Sequence, residues 1–91
     1  METLLSMLKI DLGIMTDAFD SRLTQYLDSA LAAIQREGAT IDIKDTGDAQ
    51  LVVMYAAWTW RRRDTGEGMP RMLRYALNNR VLSEKMGGIY G

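Results

Sequence analysis

Three consecutive arginines, Arg61, Arg62 and Arg63, follow closely on Trp58 and Trp60, the densest group of interaction-prone side chains in the sequence. Guanidinium groups beside aromatic rings neutralise phosphates and stack on bases, or anchor a protein partner, for which Trp and Arg are the favoured residues. The negative end of a helix would also favour these cations, at about 0.3–1 kcal/mol each, with no ligand involved. Arg71, Arg74, Asn78 and Asn79 form a second polar set on the last predicted helix, where a DNA-reading helix carries such residues. The segment before it is too apolar, and the loop between too long, for a helix-turn-helix.

Asp17, Asp20, Asp28, Asp42, Asp45 and Asp48 offer the oxygen ligands that hard cations take. No spacing among them matches a calcium loop, and several fall where helix caps are needed. The chain has no cysteine and no histidine, which removes thiol nucleophiles, imidazole acid–base groups and the usual zinc ligands. Nor does any segment indicate a pocket that would split the pKa values of two carboxylates. The expectation is a protein that binds other proteins, with no catalytic residue, metal or cofactor.

Trp58 and Trp60 are two apart, so on a helix they point about 200° away from each other and cannot enter one core together. One of them packs, and Trp60 is a candidate anchor for a partner. Arg80 falls among Leu73, Ala76 and Leu77 on the inward arc of the last helix, where a charge must snorkel to water or find a carboxylate, including one on a neighbouring copy. The candidate partner or self-association contacts are thus Trp60, Arg61, Arg62, Arg63, Arg71, Arg74 and Arg80. Of seven methionines, Met69, Met72 and Met86 suit a surface that repacks on binding.

The elements that must position these residues read as helices. Thr3 to about Ile10 carries the stripe Leu4, Leu5, Leu8, and Gly13 breaks the pattern. Thr16 and Asp17 are the capping candidates for a second helix, in which Phe19, Leu23, Tyr26, Leu27, Ala30, Leu31 and Ile34 share one face before Gly38 stops it. The alternation Ile41-Asp42-Ile43-Lys44 suggests one short extended piece. A third helix opens at Asp45, Thr46 or Asp48 and runs through Trp60; being apolar on every face, it is expected at the centre of the bundle. After the polar loop Asp64 to Gly68, a fourth helix runs from about Pro70 to Lys85, where Gly87 and Gly88 end it and leave residues 87–91 as a mobile tail. The fold class expected is all-α: a single domain over residues 1–91, about four helices around a central apolar third.

At 91 residues the chain buries only about 60% of its unfolded surface when it folds alone, so its core is small. With 47% hydrophobic and 25% charged residues it is composed like a globular protein. No apolar run approaches the roughly 20 residues of a membrane span, and no basic start leads into a cleavable apolar segment, so a cytosolic protein without membrane partners is expected. Net charge is −1, but residues 1–48 hold nine acidic and four basic side chains and residues 49–91 hold three and seven. Such lopsidedness suits head-to-tail association between copies.

The order of these features resembles a known family. Leu4-Leu5-Ser6-Met7-Leu8-Lys9-Ile10-Asp11-Leu12-Gly13-Ile14 leads into Thr16-Asp17-Ala18-Phe19-Asp20 and a long amphipathic helix. An aspartate-capped apolar helix then runs into Trp58-Thr59-Trp60-Arg61-Arg62-Arg63, followed by a short glycine loop and a last helix from Met69-Pro70. From about Leu4 to Met86 this is similar to the head–tail connector (adaptor) proteins of long-tailed bacteriophages and prophages. The resemblance implies a structural subunit made in the bacterial host cytoplasm and placed in the virion neck. It would join a ring, dodecameric in the family pattern, that links the phage portal protein to a downstream neck or tail-completion protein. DNA would be met only as the passing contents of the channel. The alternative reading is a small helical regulatory or nucleic-acid-binding module.

Overall fold

The sequence turns its apolar residues inward by folding as helices only. The computed structural model describes residues 2–90, with side-chain surroundings given through residue 86. Among the described residues there are four helices and no strand: α1 (Glu2–Leu12), α2 (Asp20–Arg36), α3 (Thr46–Thr65) and α4 (Arg71–Tyr90).

α1 buries Leu4 and Leu8, one turn apart, and ends at Gly13, whose φ of 73° is the left-handed conformation that a missing Cβ makes cheap. The Gly13 N–H donates to the Ile10 carbonyl and the Ile14 N–H to that of Lys9, the paired bonds of a Schellman turn. α2 begins two or three residues later than its cap-type residues, Asp17 and Thr16, suggest. Its N-cap position is Phe19, which makes no side-chain capping bond. Thr16 instead accepts the Ala18 N–H within a turn, and Asp17 is drawn to Lys9, whose ammonium lies 2.9 Å from both Asp17 and Asp20 carboxylate oxygens. Hydrogen bonds that Lys9 donates to Asp20 and then to Asp17 hold its pKa above the ordinary value. These pairs tie the end of α1 to the start of α2 more directly than a cap would.

The segment expected as a short extended piece is a turn. Asp42 accepts the Lys44 N–H, and its own N–H donates to Asp48. α3 opens as expected at Asp45, whose Oδ1 accepts the Asp48 N–H at 3.0 Å. It ends at Gly66, where φ is 67° and the N–H donates to the Arg62 carbonyl at 2.7 Å.

α3 packs against α1, α2 and α4, and α1 also packs on α2. The core is Leu4, Leu8, Leu23, Leu27, Ala30 and Ile34 closing on Val52, Val53, Ala56 and Ala57, with Leu73 and Leu77 brought in by α4. Fully burying a leucine contributes about 1.5–3 kcal/mol, so this set is the main source of stability. α3 is not apolar all round: Gln50 and Met54 are exposed, as is its last turn, Arg61 to Thr65. α4 also differs from expectation. Gly87 and Gly88 do not end it, and the helix continues to Tyr90. Gly91, the end of the expected tail, lies outside the described residues.

Candidate interaction surface

The two tryptophans leave α3 on opposite sides, as their spacing requires. Trp58 is buried, lies edge-on to Tyr55 with ring centroids 5.4 Å apart, and donates its indole N–H to the carbonyls of Glu67 and Gly68. It thereby fastens the α3–α4 loop. Trp60 is half-buried between Phe19, at 5.9 Å, and Tyr26, at 5.2 Å, both edge-to-face. It serves as the packing partner of the α2 start, so little of its ring is left for a second molecule.

The arginine run is equally engaged. The Arg62 guanidinium lies 4.7 Å from the Trp58 ring and that of Arg63 3.8 Å from Trp60, both within cation–π range. Arg61 donates to the Asp11 carbonyl at 3.2 Å and sits 3.7 Å from its carboxylate. Three side chains that look in sequence like one basic patch are thus spread over three internal contacts, although all remain exposed.

Arg80 has its partner inside the chain. Its Nε lies 2.7 Å from Asp48 Oδ1, and a second nitrogen donates to the Thr40 carbonyl. Asp48 is only 6% exposed and is the one buried charged residue of the core region described. Burial pushes its carboxyl pKa up, but hydrogen bonds from Arg80 and from the Asp42 N–H outweigh that and hold it below the ordinary value. The Arg80 guanidinium is correspondingly raised by Asp48. Glu84, 3.5 Å from Arg80, is lowered mainly by the Thr40 N–H that it accepts. Asp48 was legible only as a cap-type residue; its pairing across 32 positions has no local sign in the sequence.

Arg71 and Arg74 are elsewhere again, exposed on α4, with Arg74 3.4 Å from Glu37. They flank a feature that the residue types alone did not bring out. Met72, Tyr75, Leu82 and Met86 are 77%, 59%, 54% and 45% exposed. With Asn79 they recur at alternating steps of three and four, within about 80° of the helix circumference. This is the a/d spacing of a helix–helix seam, with a polar residue at its central position. α4 therefore has two faces: Leu73, Leu77 and Arg80 turned to its own bundle, and an apolar stripe turned to solvent. Residue type singles out Met72 and Met86 but not Tyr75 and Leu82, for which the heptad spacing is the signal.

Along α3 runs an open trough, bordered by α4 over its larger part and by α1 over another. Its largest part, about 640 Å³, lies by Asp48, Met54, Asn79 and Glu84, and it continues past Met7 and Asp11 to Trp58 and Met72. Met54 lines all three stretches. Among the described residues no group of three or more carboxylates, histidines or cysteines is placed to hold a metal ion, and no helix is long and apolar enough to cross a membrane.

No family model matches the chain, and neither a curated protein nor a solved structure matches it.

Proposed function

We propose that this protein is a non-catalytic structural subunit that assembles with copies of itself, and that the assembly is the ring of a head–tail connector in a phage or prophage neck. The observation that carries the assembly reading is the solvent-facing stripe on α4. Four large apolar side chains stand exposed along one face of that helix, and apolar patches of this kind mark interaction sites. The order of sequence features from Leu4 to Met86 supports the connector assignment, with α3 as the spine around which the other helices gather. In that role the ring continues the DNA channel between the portal and the next neck or tail component. The opposite charge of the two halves of the chain supports contacts between unlike surfaces, which close into a ring when the rotation per subunit allows it.

Light scattering across a wide concentration range, with electron microscopy of the large species and repeated with purified portal protein, tests this reading. A closed ring, formed alone or on the portal, is the expected result. Failure to form a ring in either condition overturns it, and a tight dimer with DNA affinity that falls steeply with salt favours the regulatory module instead.

A further inference from the structure

The stripe on α4 and the trough along α3 are complementary in chemistry and charge. A line of apolar side chains at a/d spacing on a helix is what a groove between two helices accommodates. The trough is walled by α4 over its larger part and by α1 beside Met7 and Asp11, and its lining along α3 includes Val53 and Met54. Unbranched methionine side chains adapt to what is laid on them. Around the trough five carboxylates, those of Asp11, Asp45, Asp48, Glu67 and Glu84, face two guanidiniums, Arg61 and Arg80. The stripe is bordered by Arg71, Arg74 and Lys85. An acidic trough and a basic-edged helix therefore occur on one chain; they meet at a common edge, Met72 and Asn79, and otherwise differ, since Tyr75 and Leu82 stand on the stripe without lining the trough and Met54 lines the trough without belonging to the stripe.

We infer that the trough over Met54 seats α4 of a second copy, whose Tyr75 and Leu82 enter it head-to-tail. This rests on the assembly reading above and specifies its interface. Each copy offers its α4 to one neighbour and its trough to the other, so the contact is between unlike surfaces. It replaces the Trp60 and Arg61–Arg63 cluster as the main contact, because those side chains are already held within the subunit.

Two variants of the full chain separate the halves of the interface: Tyr75→Asp with Leu82→Asp removes the stripe, and Met54→Arg places a charge in the trough. All three positions are solvent-exposed, and circular dichroism checks that each variant keeps its helical content. In sedimentation equilibrium, the wild type should gain mass with concentration, while each variant alone should need at least about tenfold more protein to associate. Mixed one to one, they should form a heterodimer and nothing larger, since one supplies the intact trough and the other the intact stripe. A Met54→Arg protein that associates like the wild type, a mixture that stays monomeric, or a wild type that never associates overturns the inference. Wild-type rings unaffected by either variant would refute this interface but leave the ring standing. Open chains with complementing variants would do the reverse.

Discussion

The Arg80 Nε lies 2.7 Å from Asp48 Oδ1 and so joins the middle of α4 to the first turn of α3. Because Asp48 is buried and Arg80 mostly so, removing either partner strands the other charge. Asp48→Ala and Arg80→Met should each cost about 2–4 kcal/mol in urea unfolding. The double variant should cost less than the sum by about 1–3 kcal/mol, which measures the coupling directly. Additive losses would mean that the pair is incidental to the α3–α4 contact.

The same pair sets the acid limit of stability. Asp48 and Glu84 both have carboxyl pKa values depressed in the folded state, Asp48 because Arg80 and the Asp42 N–H outweigh its burial, Glu84 chiefly through the Thr40 N–H. A depressed folded-state pKa contributes stability that is fully present above the unfolded value, about 4, and is lost as pH falls through the folded one. Thermal unfolding should therefore show a melting temperature nearly constant from pH 7 to 5 and declining below about pH 4. In Asp48→Asn that decline should be shallower, starting from a lower plateau.

Much of the backbone was readable in advance because caps and breaks are local. Asp45 caps the Asp48 N–H three residues on, and Gly13 and Gly38 take positive φ next to their helices, although α3 runs through Asp64 and Thr65 of the expected loop before Gly66 ends it. The opposite headings of Trp58 and Trp60 followed from spacing alone. What sequence could not supply was the choice among equivalent local options. Thr16 and Asp17 are both good caps, yet Lys9, on another element, takes Asp17, and α2 starts at Asp20. Gly87 and Gly88 have the composition of a helix end, yet α4 runs on to Tyr90. The arginine run looked like a single patch because sequence adjacency hides that neighbouring helical positions diverge by about 100°.

Gly66 offers a test of backbone conformation free of packing. Its φ is 67°, and a Cβ built there meets nothing within 4 Å. Gly66→Ala should thus lose about 1 kcal/mol from backbone strain alone, lowering the melting temperature by roughly 4–8 °C. Gly68, also with open space but without a positive φ, is the control, and Gly68→Ala should be neutral or slightly stabilising. Equal losses at both sites would indicate that the loop contributes through something other than the Gly66 turn.

α4 is held to the bundle by few residues, with Leu73 and Leu77 the buried ones. Leu77→Ala should cost about 2–4 kcal/mol. The loss should be local at first: amide hydrogen exchange in α4 should accelerate well before that in α2 and α3. Uniform acceleration across all four helices would show instead that α4 unfolds only with the whole domain.

Charge reversal distinguishes arginines that serve the fold from those that serve assembly. Arg62 and Arg63 rest on Trp58 and Trp60, so Arg62→Glu with Arg63→Glu should cost about 1–2 kcal/mol of stability through lost cation–π contacts and alter tryptophan fluorescence. Self-association should change little. Arg71 and Arg74 border the exposed stripe of α4, and reversing them should leave the unfolding free energy within about 1 kcal/mol of wild type, the loss coming from the exposed Arg74–Glu37 pair. Their loss should weaken association by about 1–2 kcal/mol, or roughly 5–30-fold, since each charge at an interface rim contributes modestly. The wild-type affinity should also fall with added salt, and the reversed variant's should not. If reversing Arg62 and Arg63 dissolved the assembly while reversing Arg71 and Arg74 left it intact, the contact surface would lie at the end of α3 and not along α4.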